Sequence, residues 1–214
     1  MSVETVKEGA FSICSTVCHI YYGGESIPDS WETRFSWYLT VHLNVRNVGT
    51  TENGLKYVIT NNNEVTIASG VGSDGKVPSS IEGFPVTVIG QGAFAKFNKS
   101  VELPNSIKRI EDLAFNESGI TKLILPDGVE YLGSDIFINC EYLKVLYIPN
   151  TVKVIEGFLA SRGVSSSYWG LHIYCQKNAD MTLWNENWNK CNSTVNIGEY
   201  SEFITEQVND STGL

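Results

Sequence analysis

The chain has 214 residues, 42% of them apolar and 11% aromatic, which is ample for a hydrophobic core in one domain or two. Its formal charge of −9 and pI near 4.8 argue against a nucleic-acid backbone or an anionic membrane as main partner. No apolar run approaches the roughly 18 residues of a transmembrane helix, so membrane insertion is not expected.

The amino terminus, MSVETVKEGAF, carries Glu4 and Glu8 and has no long apolar core, so it does not resemble a signal peptide. If Met1 is the native start, the protein is expected in the cytoplasm; if the chain is a fragment of a longer protein, it is expected at the cell surface or secreted. Within residues 1–22, Phe11, Cys14, Val17 and Ile20 have the spacing of Phe137, Cys140, Leu143 and Leu146. This opening reads as the last turn of a repeat block. It ends in His19-Ile20-Tyr21, with Trp31 ten residues after the Tyr. The same phrase returns as His172-Ile173-Tyr174, with Trp184 ten residues on. Two such endings imply two blocks, each closed by an aromatic cap.

Residues 23–53 hold Trp31, Trp37 and the alternating run Val41–Val45, which predicts a short strand. Leu55–Ile59 and Val65–Ile67 flank Asn61-Asn62-Asn63 and predict a hairpin that opens the second block. The insertion Glu82-Gly83-Phe84-Pro85 lengthens the first turn of that block, as an atypical terminal repeat would. Residues 161–170 read as a loop, and 199–214 as an acidic polar tail.

Between Pro78 and Ala160 one pattern of about 22 residues recurs. Short apolar runs close at Pro104, Pro126 and Pro149. The positions three and one before each Pro are apolar, as in Leu123/Leu125 and Leu146/Ile148. Three after each Pro comes Ile107, Val129 or Val152, and six after comes Ile110, Leu132 or Ile155. A Phe follows Ile110 and Leu132 by five, at Phe115 and Phe137; Ile89 and Phe94 repeat that spacing. After Ile155 the position is Ala160, with Phe158 and Leu159 early, so that corner is expected to be irregular. A fixed period of this length means a solenoid whose turns bury their apolar residues against one another. The predicted fold is β-rich (α/β), with short parallel strands, short helical or 3₁₀ corners and aromatic caps. The expected division is 1–53 (last turn and cap of a preceding block), 54–198 (repeat block with cap) and 199–214 (tail).

The chemistry-bearing residues are sparse. His19 and His172 occupy matching places in the two endings, which favours a structural part. Cys14, Cys18 and His19 offer ligand types, but no second cluster completes zinc spacing. A Cys–His nucleophile lacks an orienting third residue. Of five cysteines at least one is unpaired within the chain; spacing leaves a Cys175–Cys191 pairing open. Neither a cofactor nor catalysis is expected. Trp31, Trp37, Trp184 and Trp188 sit where a solenoid needs its last turn covered, so capping is preferred over a ligand platform.

Alternation along each strand assigns a binding surface. If the residues three and one before Pro face inward, the others face out. One outward row is then Glu102, Ile124, Tyr147 and Tyr174; the other is Ser100, Lys122, Val145 and His172. Ile124, Val145, Tyr147, His172 and Tyr174 form one apolar and aromatic patch, fit for a macromolecular partner or for packing on another part of this chain.

The copies VPSSIEGFPVTVIGQGAF (77–94), LPNSIKRIEDLAF, LPDGVEYLGSDIF and IPNTVKVIEGF resemble the BspA-type leucine-rich repeats. The endings HIYYGG and HIYCQKNADMTLWNENWN resemble the closing strand and cap of such blocks. The resemblance implies a leucine-rich-repeat solenoid with a protein-binding or adhesion role, often within large surface or secreted proteins, and no catalytic residue. The rival expectation, from charge alone, is a small acidic cytosolic inhibitor or decoy that occupies a basic groove on a partner enzyme.

Overall fold

The structure, a computed structural model, describes residues 18–28, 39–160, 170–189 and 193–198. Its first strands, β1 (Cys18–Tyr21) and β2 (Leu39–His42), pair in parallel, with Ile20 opposite Val41 and Tyr21 opposite His42. The alternating run at 41–45 is not one strand. Asn44 takes φ 57°, a left-handed conformation that Asn tolerates, and the chain turns there. β3 (Val45–Thr50) then pairs antiparallel with β4 (Lys56–Thr60). β4 and β5 (Val65–Ser69) make the expected hairpin, with the Asn63 N–H on the Thr60 carbonyl. The insertion at 82–85 is a second hairpin: β6 (Ser80–Ile81) folds onto β7 (Phe84–Ile89). Its two turn residues, Glu82 and Gly83, both have positive φ, as the strand twist demands of a two-residue turn.

The chain then winds through β8 (Arg109–Ile110), β9 (Lys122–Ile124), β10 (Tyr131–Leu132), β11 (Val145–Ile148), β12 (Val154–Ile155), β13 (His172–Gln176) and β14 (Thr194–Gly198). Each full turn gives one strand to each of two parallel ladders. β8, β10 and β12 extend β7 in the first ladder; β9, β11, β13 and β14 form the second. Inward-facing Ile89, Ile110, Leu132 and Ile155 stand in register, and Trp184 bridges Ile155 as the next rung. Leu123, Leu146 and Ile173 do the same across the second ladder, all buried. Each proline closes one kind of turn: Ile107, Val129 and Val152 donate to the carbonyls of Pro104, Pro126 and Pro149. That bond pulls the apolar residue three after each Pro into the core, where all three are fully buried.

The corners correct one expectation. Among the described residues there is no helix, so the α/β character falls away and the fold is a β-solenoid. The reason is local. Gly92, Leu113 and Asp135, each two before a Phe, have positive φ, and so do Lys96, Glu117 and Asn139, two after it. A left-handed residue every fourth position cannot continue a right-handed helix. Instead, alternate amides bond across to the next turn: Phe94 to Ala114, Phe115 to Ile136, Phe137 to Leu159. Each acceptor is the residue just before the next turn's Phe position, Leu159 before Ala160 included. The irregularity expected after Ile155 shows instead where Asp135 donates to Phe158, two before Ala160, while Leu113 donates to Ser134, three before Phe137. Phe94, Phe115 and Phe137 stack with centroids 5.4 and 5.5 Å apart, all fully buried.

Candidate functional site

The outward face of β9, β11 and β13 carries the predicted patch in the predicted register. Ile124, Tyr147 and Tyr174 lie side by side, as do Lys122, Val145 and His172. β14 extends the rows with Asn196 and Thr194. Exposure is uneven, however. Ile124 and His172 are exposed and Tyr174 is half-buried. Val145 is buried, and Tyr147 is the largest fully buried side chain in the molecule's described part. The chain itself covers these two. The Tyr147 ring stacks on Tyr174 with centroids 5.0 Å apart, and the Lys122 ammonium lies 5.4 Å from its centroid. The open residues are therefore Ile124 and His172 with half-buried Tyr174, and the covered Tyr147 lies in the row between Ile124 and Tyr174.

The other ladder presents a different face. Arg109 lies 3.8 Å over the Tyr131 ring and pairs with Glu111 at 3.1 Å. Glu130 takes Lys153 at 2.7 Å and Lys108 at 3.9 Å, which holds its carboxyl below the usual range. Burial, then its bond to Glu156, pushes Tyr131 up to about 12. These are exposed, salt-laced groups that satisfy one another across turns. Such a face contributes solubility and little stability.

The cysteines and histidines do not assemble into a reactive group among the described residues. His172 is exposed, while Cys175, three residues on, faces the core. Cys140 is buried too, its thiol on the Phe115 carbonyl at 2.9 Å beside Ser118 Oγ at 3.4 Å. Desolvation raises both thiols, Cys175 to about 12. Cys175 is a free thiol; Cys14 and Cys191 lie outside the described residues. His42 stacks on Tyr21 at 5.0 Å.

Trp184 caps the solenoid. It is buried, its indole N–H donates to the Val152 carbonyl at 3.2 Å, and Trp188 meets it edge-on at 5.0 Å. The Trp188 carbonyl accepts from Leu159, so the cap occupies the place of one more turn. Trp31 and Trp37 lie outside the described residues. Sequence reading missed what both endings share beyond the Trp. His19-Ile20-Tyr21 pairs with Thr40-Val41-His42, and His172-Ile173-Tyr174 pairs with Thr194-Val195-Asn196, each in parallel and in the same register. The signal was present, as a Thr-Val dipeptide 21 and 22 residues after the respective His.

Residues 78–163 match the BspA type leucine rich repeat region in 6 copies. This block is similar to that family's repeats. Among solved structures, the leucine-rich repeat protein of T. pallidum is 20% identical with a TM-score of 0.46, over 70% of this chain and 81% of that one. The pneumococcal vaccine antigen PcpA is 15% identical with a TM-score of 0.35, over 74% and 68%. At these scores each is a distant likeness and no more. No curated protein matches the chain. The leucine-rich repeats account for the Pro turns and the Phe stack; the β3–β6 hairpins precede most of the matched span and close the first ladder at its other end.

Proposed function

We propose that this chain is a non-enzymatic, adhesion-type binding module of a larger surface or secreted protein, and that a partner protein docks on the face of β9, β11 and β13. The observation that carries the reading is the contrast between the two ladder faces. One is a self-satisfied charge network. The other carries Ile124, Tyr174 and His172 in the same two rows as the covered Tyr147 and Val145, with 39% of Ile124 open to solvent. Strands facing water have no need of such residues, and aromatic side chains beside well-packed neighbours are the usual anchors of protein interfaces. Residues 1–53 in this reading close a preceding block, since both HIY strands take a partner that begins Thr-Val in the same register. Among the described residues no helix is long and apolar enough to cross a membrane.

The test uses a partner isolated by cross-linking to the intact chain, then quantified with purified proteins. Changing Ile124 and Tyr174 together to Ser is expected to weaken binding by about a hundredfold, the loss of two interface anchors. Both positions are open enough to leave folding intact. Unchanged affinity in that variant would remove the sheet face from consideration.

A further inference from the structure

The second ladder stops one strand early. β9 is an edge of its four-stranded sheet, although the repeat supplies a further strand for it. Val101–Leu103 precedes Pro104 as Leu123–Leu125 precedes Pro126. That segment is extended and in place: Glu102 donates to the Gly75 carbonyl and accepts from the Val77 N–H, both at 3.0 Å. Among the described residues its other edge carries no backbone bond. The β9–β11 register has Val145 donating to Thr121 and Leu125 to Tyr147. The same register one turn earlier would have Ile124 donating to Val101 and Leu103 to Ile124, and among the described residues neither bond forms. The two walls meet where the Gly119 N–H reaches the Phe97 carbonyl at 2.9 Å, and again where Gly128 lies against the Asn105 and Ile107 carbonyls. Between those points they part around a groove of ≈ 590 Å³, lined by Ser100, Val101, Leu103, Thr121, Lys122 and Ile124 among others.

Parity fixes what the groove offers. Along a parallel strand, one residue turns its N–H and C=O to one neighbour and the next residue turns them to the other. Thr121 and Leu125 serve β11, so Lys122 and Ile124 turn their backbone groups to the groove. On the opposite wall Glu102 serves Gly75 and Val77, so Val101 and Leu103 turn theirs inward. Donors and acceptors at strand spacing on facing walls are matched by an extended main chain. We infer that the groove receives an extended peptide segment of a partner protein, added as a parallel strand along β9.

Side chains restrict its sequence. Outward residues of an added strand lie in the rows of Lys122 and, two positions on, Ile124. Ser100, Val145, His172 and Thr194, the other members of the Lys122 row, supply no carboxylate to that ammonium. An acidic residue fits there. In the Ile124 row, exposed Glu102 on the far wall repels an acid, and the exposed Ile124 side chain favours an apolar residue. The segment therefore reads acid–any–apolar in the direction of β9. This inference uses the strand edge and shares only the Ile124 side chain with the sheet-face reading.

The probe is the blocked, fluorophore-labelled pentapeptide Thr-Glu-Val-Ile-Thr, titrated by anisotropy and by amide spectra of the intact chain. Saturable binding is expected, with the Lys122 and Ile124 amides shifting and becoming protected from exchange. Lys122→Glu should weaken binding about tenfold, the scale of one charge-assisted pair, and reverse the preference toward a Lys-containing peptide. Ile124→Pro removes a groove-facing donor while leaving the β9–β11 bonds, so it should keep the strand circular dichroism and lose the peptide. Tyr174→Ser should leave peptide affinity unchanged, which separates this site from the sheet face. Three results would overturn the inference: no saturable binding at millimolar peptide, equal binding of a backbone N-methylated peptide, or Lys122 and Ile124 amides as protected as Leu123 in the free chain.

Discussion

Phe115 sits between two rings, 5.4 Å from Phe94 and 5.5 Å from Phe137, and exposes no surface. Removing it deletes the transfer free energy of a ring and leaves a cavity between two turns that cannot close independently. Phe115→Ala should cost about 3–5 kcal/mol, measured by urea unfolding; a loss under about 1 kcal/mol would show that the stack is incidental. Leu113, two residues earlier, has φ 57° where the preceding turn uses Gly92. A side chain in the left-handed region costs roughly 1–2 kcal/mol, part of which glycine's extra freedom in the unfolded chain takes back. Leu113→Gly should therefore be neutral or stabilising by up to about 1 kcal/mol, unlike almost any other Leu→Gly change. Cys175 gives a pH signature. Burial pushes its thiol from the ordinary 9.0 to about 12, so the folded chain keeps a proton that the unfolded chain releases. Its contribution is complete below pH 9.0 and is lost as pH rises toward about 12. Relative to the parent, Cys175→Val should lack that alkaline decline; parallel curves for the two proteins between those limits would refute the assignment.

At the scale of elements, the cap is held by a few named bonds. Trp184 bridges Ile155, Asn185 donates to the Ile155 carbonyl at 2.8 Å, and Leu159 donates to Trp188 at 3.0 Å. Trp184→Ala should let this last rung open, so the Asn185 and Leu159 amides exchange at least about tenfold faster while the Phe115 amide is unmoved. Equal acceleration throughout would mean that the solenoid has no separable end. The strands, their register and the proline turns were legible in the sequence because each is a repeated side-chain demand: apolar in, Pro at the bend, apolar three and six later. The corners were not. Leu113, Lys96 and Glu117 bear no mark of the left-handed conformation, and only Gly92, Asp135 and Asn139 hint at it. A helix was thus a natural expectation for a segment that bonds sideways to its neighbours. The patch was legible as a set of rows, since alternation assigns each residue a face. Alternation is silent on what lies over that face, and Tyr147 proved buried where exposure was expected.

Across the whole molecule, energy passes between adjacent turns. The Phe stack, the two ladders and the corner bonds all join one turn to the next, and the Phe94 and Phe137 rings are separated by Phe115. Stability in such a stack is a sum of turn terms and nearest-neighbour terms. The sharpest check is a set of double-mutant cycles with Phe→Leu changes, which keep the corners apolar and the chain folded. Phe115 with Phe137, and Phe94 with Phe115, should each show a coupling of about 0.5–1.5 kcal/mol, the worth of a stacked pair beyond its area. Phe94 with Phe137 should be additive within about 0.5 kcal/mol, because their rings share no contact. A large coupling between those outer two would mean that strain travels through Phe115 and that the repeats do not behave as a one-dimensional array. Additivity in all three cycles would mean that the rings fill space without recognising one another, and that the ladders alone set the cooperativity of unfolding.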